Sequence, residues 1–412
     1  MSKRLVRVFT FLVLGMMMLV SYTNCSKRSF SSTNPTAVDP LSESPDATDG
    51  GGDPEDPNPP PLPPTTPPDD ENHIQEKVTI DVNKAVDVLI VMDNSGSMAN
   101  EQKKMGEKFA NFTDYLKIPN LDWHLGIITT DSKRSQTDGL IYPLGNLVSF
   151  TTNGSPTGDK FLDSSMQESF IAAAFLETIY FPTAASGAEQ GIGATYAFLS
   201  KVDDKPENAD YRAMIRDSAA LSVILVSDSD ESSCASNHGS RCDGSADQHF
   251  NKIENLKNLV KQKFGASKKF VWNSIIVKPG DKACEDLTVP VLDQNGNQTY
   301  DKNGLPYYAW ENEMEGLRYA QLSQETQGVI GSVCESSYSS QLTNIGSVTA
   351  DLVTKSMQLK CVPIDKDGDN KPDLVIKNKN MIVVTNYVLS GSVVKFDQAL
   401  EAGDYSLDYY CK

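Results

Sequence analysis

The sequence predicts an α/β fold: a doubly wound, mostly parallel sheet followed by a small C-terminal antiparallel β-module. Three observations carry that expectation. Val86 to Met92, Leu221 to Val226 and Phe270 to Val277 are nearly unbroken apolar runs rich in β-branched residues, the pattern of strands covered on both faces. Stretches of helical period separate them, as a sheet wound with helices on both sides requires. From Cys361 the pattern changes to short alternating stretches, Met381 to Tyr387, Val393 to Phe396 and Tyr405 to Tyr409, which fit antiparallel strands.

Taken in order, the 412-residue chain opens with Lys3, Arg4 and Arg7, then the apolar run Val8 to Val20, then Cys25. That run is short for a bilayer span and matches a secretory signal peptide over residues 1–25. A Cys in this place resembles a bacterial lipoprotein processing site, with Cys25 the lipidated first residue of the mature chain. Tyr22 and Asn24 depart from the residues usual before such a cysteine. Residues 26–77 are rich in Pro, Asp, Ser and Thr, with a proline run from Pro57 to Pro68, and carry too few apolar groups to offset the entropy of ordering. They read as a tether that could reach on the order of 100 Å at ~3 Å per extended residue.

The α/β domain is expected over residues 78–360. Helix follows the first buried strand from Asn100 to Leu116, and Trp123 to Thr129 is the next strand. Leu140 to Phe150 suggests a short strand or hairpin. Helical stripes recur at Ile171, Phe175 and Ile179, from Gly191 to Leu199, and at Phe250, Ile253, Leu256, Val260 and Phe264. Tyr319 to Gln327 reads as helix stopped at Gly328, Val329 to Val333 as the last strand, and Leu342 to Val353 as the closing amphipathic helix. Residues 279–312 form an insertion whose Gly-bearing turns suggest a β-hairpin. Residues 361–412 make the β-module.

Seven cysteines less Cys25 leave Cys234, Cys242, Cys284, Cys334, Cys361 and Cys411, an even set that in an oxidising compartment suggests three disulfides. Sequence cannot choose the connectivity, and nearest-neighbour pairing is the expectation because 234–242 and 361–411 would each close a local unit. The net charge of −18 argues against nucleic acid as a partner, since phosphates need a basic footprint. Enzyme readings lack support: there is no G-x-S-x-G elbow, phosphate-binding loop or H-E-x-x-H.

The chemistry is concentrated where the first buried strand ends. Asp93, Asn94, Ser95, Gly96 and Ser97 follow Met92 at once, which sets a carboxylate and two hydroxyls at the carboxyl end of a strand, where open α/β sheets place ligands. Hard oxygen donors of this kind suit Mg²⁺. The alternative is a turn capping the next helix. Asp93-x-Ser95-x-Ser97 after a hydrophobic strand resembles the metal-ion-dependent adhesion site of von Willebrand factor A domains, whose fold is a doubly wound, Rossmann-like sheet.

The resemblance implies two further loops. Asp228, at the end of Leu221 to Val226 and Ser227, matches the carboxylate of the family's third loop. Its second loop usually offers a Thr five residues before an Ala; counting back from Ala194 puts Glu189 there, and Ser186 is the other oxygen in reach. A glutamate would bring three negative charges around the cation, tighten metal binding, favour Ca²⁺ tolerance and weaken capture of a partner's acidic side chain. The implied cofactor is Mg²⁺, or Mn²⁺ or Ca²⁺; the implied partner is a protein that completes the coordination with an acidic residue. In some members, metal engagement displaces the closing helix. Here a disulfide at Cys361 would restrict that motion.

Three weaker constellations remain. Asp365, Asp367, Asp369 and Asp373 resemble the calcium loops of adhesive repeat proteins, against the alternative of an acidic turn. Asp293, Asn295, Asn297 and Asp301 echo that spacing with weaker ligands. Cys234, His238, Cys242 and His249 are zinc-compatible in type, but their spacing fits no common finger, and a disulfide is the simpler reading. The chain is thus expected in the cell envelope, lipid-anchored to a bacterial membrane. It would serve metal-dependent protein binding or, alternatively, act as a structural envelope-assembly subunit; a subunit assisting an ATPase is a third class, disfavoured by the export signals.

Overall fold

The computed structural model describes residues 72–80, 84–117, 120–134, 141–181, 189–231, 251–290, 308–310 and 314–411. The signal segment, Cys25, residues 26–71, Ser186, Cys234, His238, Cys242, His249, Asp293, Asn295, Asn297 and Asp301 lie outside them. No helix among the described residues is long and apolar enough to cross a membrane.

The central strand is β2 (Ala85–Met92), preceded in the chain by β1 (Asn72–Ile80). Beyond it come α1 (Ala99–Lys117), β3 (Asp122–Thr129), β4 (Leu162–Asp163), α2 (Glu168–Thr178) and α3 (Gly191–Ser200). The second half adds β5 (Ala220–Val226), α4 (Ile253–Phe264), β6 (Phe270–Ile276), α5 (Leu317–Glu325), β7 (Ile330–Ser332) and α6 (Ser339–Thr354). The sheet order is β7-β6-β5-β2-β3-β4, parallel throughout except for β4, which runs antiparallel to β3.

Period-two alternation along β2 explains its two covered faces. Val86, Val88, Ile90 and Met92 pack into one core with α1, α2 and α6; Leu89 and Val91 pack into the other with α3, α4 and α5. The chain leaves β2 toward β3 on one side, then returns to β5 on the other. The gap between the carboxyl ends of β2 and β5 is therefore the topological switch point, the crevice where such sheets bind ligands.

One part differs from the sequence expectation. The stretch expected as tether to residue 77 contains most of β1, which pairs along its whole length with β12 (Gly403–Cys411). Its residues alternate between exposed and half-buried, so the strand is fixed by partners more than 300 residues away rather than by its own apolar content. The β-module therefore starts before the α/β domain. It consists of β1-β12-β9, with β9 at Leu374–Lys377, and β8-β11-β10, with β8 at Ser356–Gln358, β10 at Tyr387–Ser390 and β11 at Val393–Phe396. Within Leu140 to Phe150 only Ile141–Pro143 is a strand, paired with Ser132–Arg134. The 279–312 insertion has a hairpin stem, Thr288–Pro290 against Tyr308–Trp310.

Cys284 is joined to Cys334 with Cα atoms 5.7 Å apart, and Cys361 to Cys411 at 6.1 Å. The second bond clamps the strand region after α6 to the end of β12. Since α6 runs almost directly into β8, which pairs with β11, the closing helix is fixed at its C-terminal end by a ladder as well as a disulfide. Removing that bond by the paired Cys361→Ser and Cys411→Ser changes opens a loop of 50 residues, and is expected to cost about 4 kcal/mol. Calorimetric melting checks the figure.

Candidate metal centre at the sheet switch point

The turn after β2 is fixed by its own polar groups. The Asp93 amide donates to Val226 O at 3.0 Å, continuing the β2–β5 ladder by one step, and Thr130 N donates to Met92 O at 3.2 Å on the β3 side. Asp93 is wholly buried. One carboxylate oxygen accepts from Ser95 N at 2.8 Å and the other from Ser227 Oγ at 2.7 Å. The Ser95 and Ser97 hydroxyls face each other at 3.1 Å. The three side chains singled out in the turn thus converge, and Ser227 binds them to the end of β5, immediately before Asp228.

Asp228 is 1% exposed, and its carbonyl accepts from Met314 N at 3.2 Å. Glu189 is also 1% exposed and stands two residues before α3. Between them in the chain sits Gln190, wholly buried, with neither side-chain oxygen nor nitrogen in a hydrogen bond. The buried Asn94 donates to Asp131 at 3.1 Å, while its own oxygen has no partner. Nothing in the sequence pattern distinguishes these two amides from ordinary turn residues.

Glu231 has a definite place that the sequence does not reveal. Its carboxylate accepts from Ile192 N at 2.6 Å and Gly193 N at 3.3 Å, filling the positive N-terminus of α3. Asp230 similarly accepts from Arg318 N at 3.0 Å at the start of α5. Tyr319 closes the floor: its hydroxyl accepts from Gly191 N at 3.0 Å. A Cβ on Gly191 would stand 2.6 Å from Leu225 and 3.0 Å from the Tyr319 ring, so only glycine permits this approach. Burial pushes the Tyr319 phenol well above its ordinary value, and the charges of Glu231, Asp230 and Asp93 push it the same way, so it stays protonated.

Asp93, Glu189, Asp228, Asp230 and Glu231 are all buried. Two of them have their charge matched by helix N-termini. Asp93, Glu189 and Asp228 are not among the acidic groups whose ligand oxygens lie within 4.8 Å of one another, though as oxygen ligands they suit a hard divalent cation. An ionised carboxylate has about four lone-pair sites, so Asp93 retains acceptor capacity after its two hydrogen bonds.

At the far end of the chain, Asp365, Asp367 and Asp373 bring ligand oxygens within 4.8 Å of one another, the one such acidic group of three among the described residues. Asp373 accepts from Lys366 N at 2.6 Å and Asp365 from Gly368 N at 2.7 Å and Asn370 N at 2.7 Å. Asp369, the fourth residue of that pattern, instead accepts from Lys371 N at 2.8 Å.

No protein-family model matches the chain, and no curated protein does. Its architecture is the one the von Willebrand A resemblance implies. Solved structures similar to it include an aerotolerance-related membrane protein from Bacteroides fragilis, at 13% identity over 64% of this chain and 98% of that one, with a TM-score of 0.33. A von Willebrand factor type A protein from Catenulispora acidiphila is 13% identical over 82% of this chain and 60% of its own, with a TM-score of 0.32. The pilus adhesin SpaC from Lactobacillus rhamnosus is 11% identical over 82% and 40%, with a TM-score of 0.31. These distances bear on neither ligand nor partner; the fold rests on the strand order itself.

Proposed function

We propose that this chain is an exported protein, tethered to a bacterial membrane through Cys25, whose α/β domain binds a divalent cation in order to recognise another protein. The observation that carries this reading is the Ser227–Asp93 hydrogen bond: it ties the Asp93, Ser95, Ser97 turn to the strand end bearing Asp228; Glu189 is buried two residues before α3. A buried carboxylate is costly to desolvate, a penalty that a bound cation reduces. Asp93, Ser95, Ser97, Asp228 and Glu189 would hold the ion, either directly or through waters, which Mg²⁺ readily keeps. Bound there, the cation offers an open coordination position to a partner's carboxylate. Asp230 and Glu231, held at helix N-termini, keep the surrounding loops in place.

The test is capture from envelope extract by the parent and by Asp93→Ala, each with and without EDTA. Capture that EDTA and the substitution both abolish supports recognition through the metal. Capture that neither affects, together with a lowered melting temperature, would leave the structural reading of an envelope-assembly subunit.

Glu189 sets the character of the site. Glu189→Thr removes one negative charge, so it is expected to weaken Mg²⁺ and Ca²⁺ binding by on the order of tenfold and to strengthen capture of an acidic partner. Calorimetric metal titration beside the capture assay measures both; equal values for the two proteins would dismiss a ligand role for Glu189. The same reading gives Ca²⁺ to the Asp365, Asp367, Asp373 loop, with Asp369 beside it. Asp367→Ala is expected to remove one class of Ca²⁺ sites in that titration and leave the Asp93 site intact.

A further inference from the structure

A second cavity lies at the other end of the sheet. About 360 Å³ in volume, it opens between the amino ends of β2, β5 and β6 and the β-module, bounded by Thr79 and Ile80 of β1 and by Met357 and Gln358 of β8. Lys84, Lys268 and Lys269 all line it. In a chain with a net charge of −18, three lysines in one cleft are conspicuous, and among the described residues none of the three makes an ion pair.

Their donors are only partly used. Lys269 Nζ donates to Val353 O at 3.0 Å, which leaves two N–H groups. Lys268 is 7% exposed; its Nζ donates to Arg216 O at 2.7 Å and Asp217 O at 3.4 Å and lies 4.6 Å from the centre of the Phe264 ring. Among the described residues the one carboxylate lining the cavity, Asp217, is turned to Arg212 at 2.8 Å. The walls between the lysines are Ala85, Ala219, Ala220, Phe264, Val353 and Met357, interrupted by Ser218 and Ser267. Cationic donors at one side of a half-apolar cleft of this size match a small molecule with a charged head and a carbon body.

We infer that this cleft binds a small organic anion, its carboxylate or phosphate head held by Lys84 and Lys269 with Lys268 behind them, and its body against Phe264, Val353 and Met357. The electrostatics are strained in the sense such a ligand would relieve. Burial pulls the Lys268 and Lys269 ammonium groups down to about 8; Asp87 and Asp217 oppose this at Lys268, while Arg216 and Arg212 add to it, and Lys84 adds to it at Lys269. An anion favours the charged forms, so binding above about pH 8 must be accompanied by proton uptake.

The experiment is a calorimetric titration of the full-length chain, stripped of metal on a chelating resin, with inorganic phosphate and, separately, with succinate, at pH 7 and pH 8.5 in two buffers of different ionisation enthalpy. The expected result is saturable binding of at least one probe, with net proton uptake at pH 8.5, unchanged by Asp93→Ala. The response to phosphate or to succinate identifies the head group. Lys84→Ala and Lys269→Met are each expected to weaken binding about tenfold. Lys84 stands at the partly exposed start of β2, so its variant tests the site even should the Lys269 change unfold the chain. No binding of either probe below about 10 mM, or equal affinity in the parent and Lys84→Ala, overturns the inference. Removing metal beforehand separates this outcome from any failure of the metal site.

Discussion

Asp93→Ala is expected to lower divalent-cation affinity by on the order of 100-fold or more while the sheet remains folded, because loss even of a group that only orients a ligand costs 10- to 100-fold. The substitution has two opposed effects on the protein without metal. It leaves Ser227 Oγ and Ser95 N without the acceptor they now have, at about 1 kcal/mol each. It also removes a buried carboxylate, whose desolvation is itself costly. The two nearly cancel, so in EDTA the variant should melt close to the parent. The contrast emerges on adding Mg²⁺: at about 100 times the dissociation constant, the parent gains about 2.7 kcal/mol of stability, and the variant gains almost nothing. Melting followed by circular dichroism across a Mg²⁺ series reads this directly. A variant stabilised by Mg²⁺ as much as the parent would remove Asp93 from the metal site. Ser227→Ala is a milder form of the same test, because it loosens Asp93 without removing the carboxylate.

The strands that place this site were legible in the sequence because each is buried on both faces and so is apolar at nearly every position, as at Leu89 and Ile90. Asp93 was legible because the polar cluster begins where that apolar run stops. Glu231 was not, since capping α3 depends on the fold bringing residue 231 against residues 192 and 193, which no local pattern encodes. Gln190 was hidden for the converse reason: a buried amide looks in sequence like any turn residue. β1 escaped notice because its stability resides in pairing with β12, and a strand with one face in water needs only half its positions apolar. The helix Ala209–Met214 is too short to show a period.

Asp87 interrupts the otherwise apolar β2 run, and its treatment by the fold leads to the largest expected loss of stability. It is wholly buried, and Arg216 holds it with two hydrogen bonds, from Nε at 2.8 Å and from its own amide at 2.7 Å. The same guanidinium reaches Asp122 at 2.6 Å and the carbonyls of Val86 and Asp122, so it ties the start of β2 to the start of β3. Burial still holds the Asp87 carboxyl above the ordinary carboxylate range, with Arg216 and Lys268 opposing that rise. Arg216→Met keeps the aliphatic stem and deletes the charge, leaving a buried carboxylate with one backbone donor. The expected cost is about 3 to 5 kcal/mol. The loss depends on pH with a definite sign. A carboxyl raised in the folded state binds its proton more tightly there than in the unfolded chain, so stability falls as pH rises from the unfolded value through the folded one. Without Arg216 the folded value rises further and the fall continues over a wider range. The variant should therefore lie nearer the parent at acid pH and farther from it at neutral pH. Urea unfolding at pH 5 and pH 8 measures the difference, and a gap that stays constant between those pH values would mean that Arg216 acts through packing, with the charge of Asp87 playing no part.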